Sequence, residues 1–363
     1  MRHKGRIHLL IDNAVRLDFF SKVSANEKIA PSILYHANLA TWLIAKFKKI
    51  PGQQILLRRT YNGRSSKKPS IEEVKQHKRV SYSLNKNNIP KIQAEDKLWV
   101  FSGFQFTALE LIPLYSSVRY FEIANFPNKY QSSDKGVNAD ADHHMKVKAM
   151  INNNDKMADD ILKLKELLLK YRPSHVDASI SSKALEQLIN LIGFYAFSTI
   201  APHSSPIDQI KIARDIRQTR KLIASYQSCP TPDVFNLFIG QVAQDSQTLF
   251  QSTVNSIEAI ALAHKASSDK KIPLVVRLHP GEKKPSVIKE QIEYCKENNI
   301  IISNKGALLE SVSMCNEVFT INSTGGLQSL LFNKPVTTYG QCFYRDWNDN
   351  DVVTYYKYVL KNI

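Results

Sequence analysis

The sequence lacks an apolar run long enough to cross a bilayer. Its most apolar stretch, residues 188–201, contains Asn190 and Gly193 and falls short of the roughly 20 residues that a membrane span needs, so a buried helix is expected there instead. A secretory leader is not expected either, because the apolar segment behind the basic first residues is interrupted at Asp12 and Asn13. We therefore expect a cytoplasmic protein.

Cysteine is also scarce. The four cysteines have neither the close pairs of a zinc site nor the density of a disulfide scaffold: Cys229, Cys295, Cys315 and Cys342. No clustering of His, Cys, Asp and Glu has the spacing of a metal site. The sequence therefore predicts reduced thiols, no bound metal and no cofactor.

Acidic residues are outnumbered, since 33 Asp and Glu stand against 49 Lys and Arg and give a formal net charge of +16. Such an excess favours a polyanionic partner, for example nucleic acid, anionic lipid or an acidic saccharide. The sequence contains neither a recognition-helix motif nor the aromatic and basic signature of RNA-binding domains. Nucleic acid is therefore not an expected partner.

The basic residues form two clusters. The first lies in a polar stretch that indicates a loop and a short helix, and contains Arg58, Arg59, Arg64, Lys67, Lys68, Lys75, Lys78 and Arg79. The second lies near helical spacing beside an apolar stripe of isoleucines, and contains Lys211, Arg214, Arg217, Arg220 and Lys221. An amphipathic basic helix can rest on an anionic membrane surface, so contact with such a surface is one interpretation. A solvated helix face is the alternative for either cluster.

The order of predicted elements indicates an α/β fold in two halves. With 363 residues and 43% apolar content, the chain can bury a large core and is expected to form two domains. Strands and helices alternate up to about Ile123, a mainly helical stretch follows over residues 144–198, and the alternation resumes from Val234 to Ile321. This alternation is typical of parallel sheets, and two such halves suggest a cleft between domains.

Two strand ends carry polar and glycine residues suited to an anion. The run Val275–Glu282 changes from apolar residues to Arg277, His279 and Gly281, and the run Val318–Leu327 ends in Ser, Thr and two Gly before a helix. Ligands collect at the carboxyl ends of parallel strands, and a helix N-terminus offers N–H groups and a favourable dipole to an anion. Together these runs predict a pocket for a phosphate-bearing ligand.

Three further segments contain candidate functional side chains. Asp245 follows a predicted buried strand and precedes a predicted helix, Thr248–His264, so a plain N-cap carboxylate is the alternative role. Glu122 lies in a β-rich run, where a carboxylate is unfavourable unless it faces a cleft. The turn-forming stretch Asp134–Asn138 has a simple surface turn as its alternative.

In chain order, these segments resemble a known family. The matching blocks are Glu122–Pro127 with Asp134–Asn138, Gln241–Ser246, Arg277–Gly281, Ile321–Leu327 and Gly340–Tyr344. They are similar to blocks of the Gram-negative capsule polysaccharide biosynthesis proteins that transfer 3-deoxy-D-manno-oct-2-ulosonic acid (Kdo) from CMP-Kdo. The resemblance covers chiefly residues 118–345.

The resemblance implies a retaining β-Kdo transferase with a GT-B-like architecture, that is, two Rossmann-like domains facing a cleft. Residues 1–200 would form the acceptor domain with a helical insertion, and residues 201–363 the nucleotide-sugar donor domain. Retention requires either two inversions or a front-face exchange, and two inversions require a nucleophile that can leave again, a task that suits a carboxylate.

The same resemblance assigns roles to individual residues. Asp245 is the candidate nucleophile, Glu122 the candidate acid/base for the acceptor hydroxyl, and His279 a donor to the phosphate that assists departure of CMP. A buried structural histidine is the alternative for His279. Asn138 is assigned to acceptor binding. The donor would be bound by Gln241, Arg277, His279, Asn322, Ser323, Thr324 and Gln328, the last standing where the family often has glutamate.

The expected partners are a nucleotide sugar, a glycolipid or polysaccharide acceptor, and an anionic inner-membrane surface. Two alternatives stay open from the sequence. One is a glycosyltransferase that uses another nucleotide sugar, and the other is a catalytically silent anion-binding assembly protein of the same pathway.

Overall fold

The structure is a computed structural model that describes residues 5–61, 82–124, 126–150, 157–171, 180–200 and 206–363. The chain forms two compact units. Unit 1 contains Met1–Asp142, Arg172–Ser205 and Leu360–Ile363, and unit 2 contains His143–Tyr171 and Pro206–Val359. Each unit has a mainly parallel sheet with helices, so the predicted α/β fold in two halves is confirmed.

Unit 1 is built on a seven-stranded sheet with the order β14-β8-β7-β6-β1-β2-β3. Strands β7, β6, β1, β2 and β3 are parallel, whereas β8 and β14 are antiparallel additions. The strands are β1 (Ile7–Ile11), β2 (Ile33–His36), β3 (Gln53–Leu56), β6 (Lys97–Phe101), β7 (Ser117–Ile123), β8 (Lys129–Ser133) and β14 (Lys361–Asn362), and a separate hairpin pairs β4 (Arg59–Tyr61) with β5 (Tyr82–Leu84).

Unit 2 is built on a five-stranded, entirely parallel sheet with the order β11-β10-β9-β12-β13. Its strands are β9 (Asn236–Ile239), β10 (Leu274–Arg277), β11 (Ile301–Ile302), β12 (Val318–Thr320) and β13 (Val336–Thr338). In both units the first strand lies at the centre and the chain later crosses to its other side. This is the doubly wound order of Rossmann-like domains, whose ligands bind where the order reverses.

Helices cover these sheets. Those of unit 1 are α1 (Ala14–Asn26), α2 (Leu39–Phe47), α3 (Phe106–Leu111) and α6 (Ile180–Ala196). Those of unit 2 are α4 (His143–Met150), α5 (Ala158–Lys170), α7 (Pro206–Ala224), α8 (Ser246–Gln251), α9 (Ser256–Asp269), α10 (Pro285–Glu297), α11 (Leu308–Met314), α12 (Thr324–Leu330) and α13 (Asp349–Thr354).

The contacts divide the chain differently from the predicted boundary after residue 200. Helices α4 and α5 pack with unit 2, where the Lys148 ammonium lies 2.9 Å from the buried Asp351 carboxylate and Met157 contacts Thr354. Strand β14 returns to unit 1, because its backbone pairs with β8. The predicted helical insertion is thus shared between the two units.

A buried polar cluster lies at the amino end of the unit 1 sheet. The Tyr115 hydroxyl is 2.6 Å from Nδ1 of His8, and the Tyr35 hydroxyl is 3.0 Å from that of Tyr115. Burial lowers the pKa of His8 to about 4, although the carboxylate of Asp96 acts in the opposite direction. The Arg6 guanidinium, which donates to Asp96, lowers the pKa of that carboxyl to about 2. His8 is therefore neutral in the native protein at pH 7.

We expect the free energy of unfolding to fall as the pH drops from 6.5 to 4. An unfolded histidine takes up a proton in this interval whereas buried His8 does not, and a shift from 6.5 to about 4 corresponds to roughly 3 kcal/mol. In His8→Asn the side-chain amide can form a hydrogen bond with Tyr115 without titrating. Urea unfolding at pH 7.5 and pH 4.5 should therefore show that the variant loses less free energy of unfolding than the wild type on going to the lower pH. Equal losses for both proteins would contradict a neutral His8.

Candidate functional site

The candidate site lies at the carboxyl edge of the unit 2 sheet. Strand β9 is central, with β10 on one side and β12 on the other, so the order of strands reverses between β9 and β12. Because all these strands are parallel, the loops that follow them meet at one edge. These loops carry Gln241, Asp245, His279 and Asn322.

Gln241 and Asn322 form a reciprocal buried pair across the reversal point. Nε2 of Gln241 donates to Oδ1 of Asn322 at 2.7 Å, and the backbone N–H of Asn322 donates to Oε1 of Gln241 at 3.2 Å. The Asn322 amide also donates to the carbonyl oxygens of Gln247 and Gln341. Gln241 and Asn322, both predicted to bind the donor, therefore hold the loops after β9, β12 and β13 together.

His279 has a defined tautomer. The backbone N–H of Gly281 donates to its Nδ1 at 3.0 Å, so the neutral ring carries its proton on Nε2. Burial lowers the pKa of His279, although the charges of Asp245 and Glu282 oppose the shift. At neutral pH the ring is therefore uncharged and presents Nε2–H as a hydrogen-bond donor.

Glu282 holds the His279 loop in place, a role that the sequence did not reveal. Its side chain is buried, with Oε1 accepting from the N–H groups of Lys283 and Lys284 and Oε2 accepting from that of Ala243. Backbone donors satisfy a buried carboxylate as an ion partner would. Glu282 thus links the loop after β10 to the loop after β9.

Asp245 is the N-cap of α8. Its Oδ1 accepts from the backbone N–H of Gln247 at 3.1 Å and from the Ser246 hydroxyl at 3.3 Å. The side chain is exposed, and both hydrogen bonds reach the same oxygen. The cap role weighed from the sequence is present, and it leaves Oδ2 available for chemistry.

Arg277 is engaged by the protein itself. Its Nη1 donates to the Lys305 carbonyl at 2.8 Å and to the Ser311 hydroxyl at 3.1 Å, and its Nη2 donates to the Gly306 carbonyl. The guanidinium thereby fixes the loop after β11 against α11. Its predicted contact with a donor anion stays a prediction.

The loop after β12 leads directly into α12. Ser323 caps this helix through its hydroxyl, Thr324 is the first helical residue, and Gln328 lies half-buried one turn later. The Tyr344 hydroxyl donates to the Ser323 carbonyl, and a Cβ added at Gly326 would lie 2.8 Å from that hydroxyl oxygen. Gly326 thus permits Tyr344 to pack against the start of α12.

Glu122 lies at the corresponding edge of unit 1, near the end of β7. Nε2 of its cross-strand neighbour Gln131 donates to Oε2 of Glu122 at 3.0 Å. Burial lowers the pKa of Arg16, although the nearby Glu122 charge acts in the opposite direction. The Arg16 guanidinium also lies 3.4 Å from the centre of the Phe101 ring and 3.5 Å from Asp12.

Asp12 and Arg16 were not assigned a role from the sequence. The sequence nevertheless contained a signal for this pair, because Asp12 directly follows β1 and Arg16 lies one helical turn later in α1. Strands β1, β6 and β7 are parallel, so their ends place these two residues and Glu122 at one edge. Unit 1 therefore has two carboxylates and a cation at its carboxyl edge.

Asn138 lies in the same unit, at the start of a short 3₁₀ turn, Asn138–Asp140. It is buried and has a left-handed φ of 57°, which asparagine tolerates better than most residues. The turn role weighed from the sequence is present, and acceptor binding stays a prediction.

The structure thus groups the residues predicted to act on the donor within unit 2 and places Glu122 and Asn138 in unit 1. In the ranges that the structure describes, no group of three or more His, Cys, Asp or Glu is placed to hold a metal ion. None of the helices in those ranges combines the length and apolar character needed to span a membrane.

Of the first basic cluster, Arg58 and Arg59 are described, whereas its members between residues 62 and 81 lie outside the described residues.

Comparisons with known proteins give a family and several structural neighbours. Residues 133–349, more than half of the chain, match the model of a family described as capsule polysaccharide biosynthesis protein. No curated protein matches by sequence.

Three solved structures are similar at low sequence identity. Thermosulfurimonas dismutans KpsC, a beta Kdo 2,7 transferase, is 13% identical over 99% of this chain and 92% of its own, with a TM-score of 0.42. The beta Kdo 2,4 transferase of the same KpsC is 13% identical over 76% of this chain and 83% of its own, with a TM-score of 0.39. The UDP-GlcNAc 2-epimerase of Methanocaldococcus jannaschii is 11% identical over 95% of this chain and 85% of its own, with a TM-score of 0.30.

We expect Asn322→Ala to destabilise unit 2 by about 1–3 kcal/mol, because it leaves the buried Gln241 amide without its main partner. Gln241→Ala should cost a similar amount. The double variant should cost less than the sum, with a coupling energy of about 0.5–3 kcal/mol in urea unfolding. Additive losses would mean that the two amides do not stabilise each other, and the exposed Asn350→Ala provides the control.

Proposed function

Since the chain belongs to the family of capsule polysaccharide biosynthesis proteins, we propose that it is a glycosyltransferase that moves Kdo from CMP-Kdo, with retention, onto a glycolipid or polysaccharide acceptor. One observation carries the proposal: a neutral His279 with its proton on Nε2 lies near the carboxylate of Asp245, at the reversal point of a Rossmann-like sheet. The Kdo donor is supported by the resemblance of the sequence blocks.

The donor phosphate is the group that His279 would bind. An Nε2–H donor at a partly buried position stabilises the charge that develops on the phosphate oxygen as CMP departs. The positive end of the α12 dipole, next to Ser323 and Thr324, would favour the same phosphate from the neighbouring loop. Because Gln241, Asn322 and Arg277 already have protein partners, we assign them to shaping this pocket.

Asp245 would act as the nucleophile in the first inversion. Oδ2 attacks the anomeric carbon, the bond from that carbon to the phosphate oxygen breaks, and CMP leaves with the electron pair. The hydrogen bonds at Oδ1 keep the carboxylate in one orientation. Such a glycosyl ester can be displaced in turn, as two successive inversions require.

Glu122 would assist the second inversion. The acceptor hydroxyl attacks the anomeric carbon from the opposite face, its proton passes to the Glu122 carboxylate, and Asp245 leaves. The hydrogen bond from Gln131 orients the Glu122 carboxylate, and the Arg16 guanidinium lies close enough to interact with its charge.

The acceptor would be met at an anionic membrane surface. On α7, Arg217, Arg220 and Lys221 line a shallow groove together with Ala213, Ile216 and Ala224. These three basic side chains are exposed, as expected for a helix face that contacts lipid phosphates. A protein of the cytoplasm that docks at the inner membrane is therefore part of the proposal.

Calorimetric titration of nucleotides tests the donor. CMP-Kdo and CMP should bind in preference to UDP and GDP, and His279→Ala should weaken CMP-Kdo binding by about tenfold to a hundredfold through loss of one hydrogen bond to a charged phosphate. His279→Gln should recover part of the affinity, since its amide can donate from a similar position. A preference for UDP or GDP would refute the CMP-sugar donor, and no nucleotide binding would favour the silent assembly protein.

The nucleophile is tested by a pair of substitutions at one position. Asp245→Asn keeps an N-cap for α8, because asparagine caps as well as aspartate, but it removes the attacking carboxylate. Transfer should fall by on the order of 1,000-fold or more while CMP-Kdo binding and stability are kept.

A matched control separates capping from catalysis. Asn255→Ala removes the N-cap of α9 at a cost of about 1 kcal/mol and should leave transfer unchanged. If Asp245→Asn transfers Kdo at the wild-type rate, Asp245 is a cap and nothing more.

A further inference from the structure

Helix α6 is apolar on the side that faces away from the rest of unit 1. Leu185, Leu188, Ile192 and Tyr195 recur at the spacing of one helical stripe, and their exposed fractions range from 49% for Ile192 to 73% for Tyr195. Surface helices normally place polar residues on this side. A continuous stripe of large apolar side chains indicates a binding surface.

The opposite side of α6 is firmly held. The Asn190 side chain accepts from the backbone N–H of Ala40, and Gly193 is so close to Leu39 that an added Cβ would lie 2.6 Å from the Cβ of Leu39. The Arg59 guanidinium lies 3.2 Å from the centre of the Phe194 ring. The outer stripe is therefore not needed to anchor the helix.

Helix α2 has further exposed apolar side chains. Leu43 and Phe47 continue the stripe that starts with Leu39 and Ala40, the residues that meet α6. Phe47 is 90% exposed and Leu43 is 41% exposed. We call Leu43, Phe47, Leu185, Leu188, Ile192 and Tyr195 together the α2–α6 face.

Positive charge borders this face. Lys46, Lys48 and Lys49 follow one another at the end of α2 and are exposed. Arg58, also exposed, pairs through its backbone with Thr199, just after α6. Large apolar side chains next to lysines and arginine match the boundary between the acyl chains and the phosphates of an anionic bilayer.

We propose that the α2–α6 face docks on an anionic phospholipid bilayer, with its apolar side chains entering the acyl boundary and its basic residues meeting lipid phosphates. This surface lies in unit 1 and is separate from the basic groove of α7 in unit 2. The proposal concerns lipid binding alone and does not depend on the donor or on the reaction.

Co-sedimentation of the full chain with vesicles tests the proposal. Wild-type protein should bind vesicles of phosphatidylethanolamine and phosphatidylglycerol more strongly than vesicles of phosphatidylcholine. Leu188→Gln combined with Ile192→Gln should weaken binding to the anionic vesicles at least tenfold. The matched control is Leu262→Gln with Met314→Gln, two similarly exposed apolar residues of unit 2, which should bind as the wild type does.

Trp42 of α2 reports insertion directly. It lies beside the face with the Lys46 ammonium 5.4 Å from its ring centre, whereas Trp99 and Trp347 are buried. Brominated lipids should quench the Trp42 emission of the wild type and of Arg217→Glu, even where the latter binds less tightly at low salt. Circular dichroism and nucleotide binding of each variant verify the fold.

Three results would overturn the proposal. They are the absence of wild-type binding to anionic vesicles, equal binding by the Leu188→Gln/Ile192→Gln variant, and a wild-type dimer that this variant converts to a monomer without any change in vesicle binding. The last result would assign the face to a second copy of the chain. If the wild-type protein binds anionic vesicles but does not transfer Kdo, the proposed function is refuted and this inference stays intact.

Discussion

The arrangement of unit 2 depends on one constraint: β9 is hydrogen-bonded on both sides, so the polar loop after it is enclosed by neighbouring loops. Buried polar groups there need partners within the protein. The Gln241–Asn322 pair and the carboxylate of Glu282 supply them. A carboxyl edge that is suited to ligands is therefore also rigid before any ligand arrives.

This rigidity selects which side chains can take part in chemistry. Arg277, Gln241 and Asn322 are held by the protein, whereas His279 has Nδ1 occupied and Asp245 has Oδ1 occupied. The same hydrogen bonds that fix these last two groups leave one defined atom of each for a substrate. A preorganised donor beside a preorganised carboxylate loses little entropy when a charged ligand binds.

The sequence predicted the alternation of strands and helices up to Ile123 and from Val234 to Ile321, because buried parallel strands are short apolar runs followed by polar residues. Strands β8, β13 and β14 lie outside these ranges and were not predicted. The sequence could not predict the partners of those polar residues.

The predicted helix Thr248–His264 is divided into α8 and α9, since Asn255 begins a new helix with a capping box. Glu282 escaped notice because a carboxylate held by backbone N–H groups has no sequence pattern of its own. Helices α4 and α5 pack with unit 2 through contacts distant in sequence, such as that between Lys148 and Asp351.

The charge of the chain takes on a more specific meaning once burial is known. From the sequence, the basic residues at positions 211–221 were the membrane candidates, and such contacts weaken with salt because they act through exposed charge. An apolar face acts through the area removed from water, which salt does not screen. Residues 185–195 have the composition of a buried helix, so the sequence could not show that one side of α6 is exposed. A bilayer contact through the apolar face would retain a salt-insensitive part, whereas a contact through the basic helix by itself would not.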